Sequence, residues 1–229
     1  LYASGGELAH YDFAWVVMER LPHGPLDSSW GGQEWELAAE TLGRFYAVAA
    51  RHQVDQPVRP EDWPEILRRA RKNIRERGVA EEQRWNKALK ALQKKSKKLL
   101  ALWDKRDTSQ WCHGDVHLAN FMSRSEPPGG PVLMFDYAES RAGHWVKDAV
   151  YLEHLFWARP DRLGEVDIVK LISQKRKAHG LKLESHWPRL ADVRRVLLAG
   201  SAPAYLRNEG NPLHVHAALG VLERTLEKL

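Results

Sequence analysis

Cysteine is nearly missing from this 229-residue sequence, with Cys112 standing alone. A single cysteine forms no internal disulfide, and this usage fits a reducing cytoplasm, the expected location. The lone thiol is expected to be buried and inert. No run approaches the ~20 apolar residues that a membrane-crossing helix needs, so no membrane partner is expected. The opening Leu1-Tyr2-Ala3-Ser4-Gly5-Gly6 lacks a basic stretch followed by an apolar one, and no signal peptide is visible. A start at Leu1 rather than methionine suggests a chain that begins part-way through a longer protein. Low-complexity tracts are missing too. The histidines His113, His117, His144, His154, His214 and His216 match no zinc-ligand spacing.

Apolar residues make up 43% of the chain and include ten tryptophans, enough for a sizeable core. The net charge of +5 is unevenly spread. Residues 68–106 hold 15 Lys/Arg and 4 Asp/Glu, a local +11, which leaves −6 for the rest. The basicity is therefore regional.

Ala14-Trp15-Val16-Val17-Met18 reads as a short buried strand, ended by Leu21-Pro22-His23-Gly24-Pro25. Residues 34–53 read as a helix with Trp35, Ala38, Leu42, Phe45, Tyr46 and Ala49 on one face, and Asp27, Ser28 and Ser29 offer helix-starting side chains. Two basic helices are expected at 64–77 and 80–105, the second striped by Trp85, Leu89, Leu92, Leu99 and Trp103. Most such lysine-rich faces are simply solvated. Ala119–Ser123 and Val132–Asp136 read as short strands joined through Pro127-Pro128-Gly129-Gly130-Pro131. Helices are expected near 148–157, 165–179, 189–200 and 213–228. The fold class is α+β, mostly helical.

The segment His113-Gly114-Asp115-Val116-His117-Leu118-Ala119-Asn120, with Asp136 beyond the hairpin, carries the chemistry. Phosphoryl transfer needs a carboxylate to orient a hydroxyl, oxygen ligands for Mg²⁺ and a rigid frame for both. An Asp and an Asn five positions apart, followed by a later Asp, supply that set. Glu139, three residues after Asp136, could reach a metal or a cationic substrate, but a solvated surface role is the plainer expectation.

These residues resemble the signature of the aminoglycoside phosphotransferase and choline kinase family, H-G-D-x-H-x-x-N followed by D-x6-G-x4-D. Here they are His113, Gly114, Asp115, His117 and Asn120, then Asp136, Gly143 and Asp148. Trp15 to Leu21 is similar to the family's hinge. The resemblance implies the C-terminal lobe of a protein-kinase-like fold with a small β-hairpin insert. Residues 1–22 would be the end of an N-terminal lobe plus hinge, and 23–229 the helical catalytic lobe, with 57–107 a basic helical segment within it. It further implies Asp115 as catalytic base, Asn120 and Asp136 as Mg²⁺ ligands, and Glu19 and Leu21 as backbone contacts to the adenine of ATP. His113, His117 and Asp148 would support the loop. The reaction implied is transfer of the γ-phosphate of ATP to a hydroxyl of a small molecule.

The family's strand lysine and phosphate-covering loop are not found, and only the last strand or two of that lobe, about residues 8–20, is recognised. Weak ATP·Mg²⁺ binding is expected of the chain as it stands. The acceptor is not readable: the acidic balance outside 68–106 allows a polycation, the +11 segment disfavours one if it lines the substrate side, and the tryptophans could cage a choline-like group. A second reading keeps the fold but makes the protein a catalytically weak binding module for an anionic partner through its basic helices. Nucleic acid is not an expected partner. His-Gly-Asp in place of His-Arg-Asp argues against a protein kinase.

Overall fold

A computed structural model of the chain describes residues 1–26, 34–126, 129–206 and 211–229. The helix-starting Asp27, Ser28 and Ser29, and Pro127 and Pro128 of the expected turn, lie outside the described residues.

The chain opens with an antiparallel hairpin of β1 (Ala3–Leu8) and β2 (Tyr11–Val17), with Ala3 opposite Val17 and Leu8 opposite Tyr11. Its strands reach back to Ala3, further than the expected 8–20. The expectation of burial is corrected. Phe13, Val16, Val17 and Met18 are exposed, while Trp15 is half-buried and donates from Nε1 to the Glu7 carbonyl at 2.6 Å. Aromatic and β-branched residues favour the extended backbone wherever they sit. Burial depends on what packs against the strand, which an apolar run does not encode.

Past the hairpin the chain joins β4 (Phe121–Ser123). His23 and Ser123 exchange backbone hydrogen bonds (3.3 and 2.7 Å), and the Leu26 N–H donates to the Phe121 carbonyl at 2.9 Å. Arg124 grips the Glu19 carboxylate through two bonds of 2.7 Å. Leu21 and Leu26 are buried between these ties.

The body is helical: α1 (Glu34–Ala49), α2 (Trp63–Glu76), α3 (Glu82–Asp104), α4 (Trp145–His154), α5 (Ile168–Ala178), α6 (Trp187–Ser201) and α7 (Pro212–Lys228). Side-chain caps set several starts. Asp62 accepts from the Glu65 N–H, Asp167 from Lys170 and Asn211 from Leu213. His144 accepts from Val146 N–H, so α4 begins three residues before the expected 148. Trp85, Leu89, Leu92, Leu99 and Trp103 of α3 are all buried against the core. Cutting Trp85 or Trp103 back to alanine costs about 3–5 kcal/mol by the usual measure of large core deletions. No helix among the described residues is long and apolar enough to cross a membrane.

Three of the fifteen basic side chains of the segment are paired with carboxylates at the surface among the described residues. Arg68 binds Glu65, Lys72 faces Glu76, and Arg84 bridges Glu81 and Glu223.

Two small ladders frame the centre. β3 (Gln110–Cys112) pairs antiparallel with β6 (Arg141–Gly143), and β4 with β5 (Val132–Met134). The expected strand 119–123 starts with a 3-10 turn over Leu118–Asn120. The expected strand 132–136 stops at Met134, because Asp136 takes a left-handed backbone (φ +58°) that leaves the ladder.

Candidate functional site

The loop 113–120 connects β3 to β4, so both of its ends are fixed by ladders. Its base is Asp148 on α4, which is 1% exposed. Asp148 Oδ2 accepts the His113 N–H (2.8 Å) and the Tyr46 hydroxyl (2.9 Å), and Oδ1 accepts the Gly114 N–H (3.0 Å). A buried carboxylate needs such donors to remain ionised. Burial, then the charge of Asp148, raises the Tyr46 pKa and keeps its phenol a donor. Gly114 sits at φ +86°, and a Cβ there would lie 2.4 Å from the Glu139 carbonyl oxygen. Only glycine fits that turn.

The His113 ring is fully buried. Its Nδ1 accepts the Asp115 N–H (3.3 Å), so Nε2 carries the proton and donates to the Phe135 carbonyl (2.8 Å). This one side chain ties the loop to the segment that ends in Asp136. A second tie runs through Asn120, whose carbonyl accepts the Phe135 N–H (2.8 Å). Asn120 Nδ2 also donates to the Asp115 carbonyl at 2.9 Å. The backbones of residues 115, 120 and 135 thus share one hydrogen-bonded network.

The Asp115 side chain is about one-third exposed. Oδ1 accepts the Tyr151 hydroxyl at 3.0 Å, and His117 Nε2 stands 3.3 Å from Oδ2. Asp136 projects from its left-handed residue as an exposed carboxylate, with Oδ1 3.4 Å from the Ala138 N–H. The next residue, Tyr137, stacks on Phe45 and bonds the Met134 carbonyl, which fixes the turn. Glu139 pairs with Arg59 at 2.9 Å and Arg141 at 3.2 Å.

No group of three or more His, Cys, Asp or Glu side chains among the described residues gathers to hold a metal ion. Mg²⁺ is usually held by one or two protein oxygens together with substrate phosphates, and Asn120 and Asp136 offer that kind of donor set. The Asn120 amide nitrogen is committed to Asp115, so its oxygen faces the other way and accepts no hydrogen bond among the described residues. The backbone amides and carbonyls of Glu19 and Leu21 likewise have no partner among the described residues. The Glu19 side chain is held by Arg124, which lowers its pKa, and Leu21 points into the core.

A cleft of about 810 Å³ opens beside the loop. Gly114, Lys147, Tyr151, Trp63 and Arg194 are among its lining residues. No residue of 68–106 lines it, so the +11 segment does not set its charge. Burial depresses the pKa of His154 to about 4 and lowers that of His214, leaving both cleft imidazoles neutral near pH 7.

Tyr46 and Tyr151 escape a reading of the sequence alone. Tyr151 was open to inference, since it follows Asp148 by one helical turn and shares its side of α4. Tyr46 was placed on the buried face of α1, and nothing in the spacing connects it with Asp148, 102 positions away.

No curated protein matches the sequence. Among solved structures, the chain is similar to the amicoumacin kinase hAmiN in complex with AMP-PNP, Ca²⁺ and Ami, with a TM-score of 0.55 and 16% identity. The match covers 92% of this chain and 64% of that one, so this chain spans under two-thirds of that protein's length. The likeness is one of fold: α+β, mostly helical and kinase-like. The model of the phosphotransferase enzyme family, APH, matches residues 1–192, and the chain belongs to that family.

Proposed function

We propose that the protein transfers the γ-phosphoryl group of ATP to a hydroxyl of a small molecule, with Asp115 as the base. The observation that carries this reading is the Asp115 carboxylate, held by Tyr151 beside the cleft on a loop that Asp148 pins at two consecutive N–H groups. In the step, the acceptor oxygen forms a new bond to the γ-phosphorus and the bond to the β–γ bridging oxygen breaks. The electron pair leaves with ADP, and the hydroxyl proton passes to Asp115. Each Asp115 oxygen has two lone pairs, so Tyr151 leaves room for the acceptor.

Asn120 and Asp136 would hold Mg²⁺, which when bound neutralises phosphate charge. Glu19 and Leu21 would take adenine through their unpartnered backbone groups. His113 and Asp148 hold the loop so that Asp115 needs no rearrangement at the moment of reaction, and His117 stands against its second oxygen. Family membership supports phosphoryl transfer, and the similarly folded hAmiN is a kinase in complex with AMP-PNP, Ca²⁺ and Ami.

The test is Asp115→Asn in the full-length protein. The variant is expected to melt within a few degrees of wild type and to lose about 10²–10⁴-fold in phosphoryl transfer, the usual worth of a general base. Wild-type turnover by that variant would remove Asp115 from the role.

A further inference from the structure

We propose that the acceptor carries an anionic oxygen group, a carboxylate or a phosphate monoester, beside its reacting hydroxyl, and that Lys147 binds that group. This rests on the phosphotransferase reading and adds the charge class of the acceptor to it.

Lys147 and Tyr151 are four residues apart on α4 and both line the cleft. Side chains at that spacing stand about 5–6 Å apart at their Cβ atoms on one helix face. Tyr151 holds the base, so Lys147 is rooted one helical turn from the tyrosine that marks the reacting end. A group bound by Lys147 and a hydroxyl at Asp115 fit within one small molecule.

The charges around the cleft decide the sign. Its lining brings together four cations, Arg59, Lys147, Arg159 and Arg194, and two carboxylates besides the base's neighbourhood, Glu61 and Asp62. Both carboxylates are engaged. Glu61 binds Arg194 at 2.9 Å, and Asp62 caps α2 through the Glu65 N–H at 3.1 Å. Arg59 is paired with Glu139 at 2.9 Å, and Arg159 stands 3.7 Å from Asp161. Lys147 is half-buried and has no carboxylate at ion-pairing distance among the described residues. His154 and His214 are neutral and add no charge of either sign. Among the described residues the lining offers an ammonium-bearing acceptor no uncommitted carboxylate, and such an acceptor would meet unfavourable like charge. An anion would find an unpaired ammonium already in place.

The test uses the full-length protein with ATP·Mg²⁺ and four acceptor panels, scored by product mass. One panel holds hydroxy acids (glycerate, gluconate, glucuronate) and one holds sugar phosphates (ribose 5-phosphate, glucose 6-phosphate). The others hold neutral polyols and sugars (glycerol, ribose, glucose) and ammonium compounds (choline, glucosamine, kanamycin). Product is expected in an anionic panel, and which one responds separates carboxylate from phosphate. Lys147→Met keeps the packing of the long stem. It is expected to raise KM for that acceptor about tenfold or more, well beyond its effect on kcat, as loss of a charge-assisted hydrogen bond would. Lys147→Glu is expected to raise KM further, with melting temperatures of both variants close to wild type. Product confined to the neutral or ammonium panels, or a KM for the anionic acceptor unchanged by Lys147→Glu, would overturn the proposal while leaving the phosphotransferase reading intact. No product from any panel would bring down both.

Discussion

The phenol of Tyr151 donates to Asp115 Oδ1 across 3.0 Å, and its pKa is raised to about 12 by burial and by the charge of that carboxylate. The phenol therefore remains a donor throughout the neutral range. It fixes which way the Asp115 carboxylate faces, a constraint that the loop backbone does not supply.

Tyr151→Phe removes the donor and keeps the ring. Turnover is expected to fall about tenfold with KM for ATP unchanged, because the proposed base loses its orientation while Glu19 and Leu21 are untouched. Steady-state kinetics with varied ATP checks this. An equal fall in kcat after substitution of an exposed tyrosine outside the cleft, such as Tyr11, would show the effect to be unspecific.

Asp148→Ala strands two backbone N–H groups and the Tyr46 hydroxyl in the core. Unsatisfied buried donors cost about 1–3 kcal/mol each, so this variant is expected to lose several kcal/mol. Asp148→Asn keeps one acceptor oxygen and is expected to lose less. Denaturant unfolding of the two variants side by side gives the order, and equal losses would contradict the hydrogen-bond account.

Gly114→Ala places a methyl 2.4 Å from the Glu139 carbonyl oxygen at a φ of +86°. Either the loop or the Glu139 segment must shift. A destabilisation of about 1–3 kcal/mol is expected, with turnover falling more steeply than stability because the displaced residue adjoins Asp115. Thermal melts and turnover on the same preparation separate the two effects.

Burial depresses the pKa of His154 to about 4 from 6.5 and lowers those of His144 and His214. The unfolded chain then binds more protons than the folded one below pH 6.5. Stability is full above about 6.5 and is lost as pH falls toward the folded value. For His154 alone the window from 6.5 to about 4 corresponds to about 3 kcal/mol. Melting temperature is expected to drop between pH 7 and pH 5, and His154→Gln to shrink that drop. A flat profile would count against a buried neutral His154.

Helix positions were legible because each helix buries one stripe. Trp85, Leu89, Leu92, Leu99 and Trp103 keep helical spacing and are all buried. The ends of β5 and α4 were less so. Asp136 leaves the ladder by a backbone choice, and His144 caps α4 by a side-chain bond, and hydrophobic spacing records neither. The ladder of β3 with β6 also went unread, since three-residue strands have almost no pattern of their own.

In the site, residues 113–120, 136 and 148 stood out by spacing, because the chemistry they resemble requires particular side chains at particular intervals. What those intervals leave open is which distant residues complete the set. Tyr46 reaches Asp148 from another helix, and Arg59 reaches Glu139 from a connecting segment.

The sequence by itself determined the family, the helical body and the three polar residues of the loop and hairpin, since local spacing and side-chain chemistry are properties of the chain. Only the tertiary structure decided the character of the cleft. It turned residues 68–106 away from the lining and left Lys147 with no carboxylate partner among the described residues, because a cleft's charge is set by residues that meet across the fold and not by those that are neighbours along it.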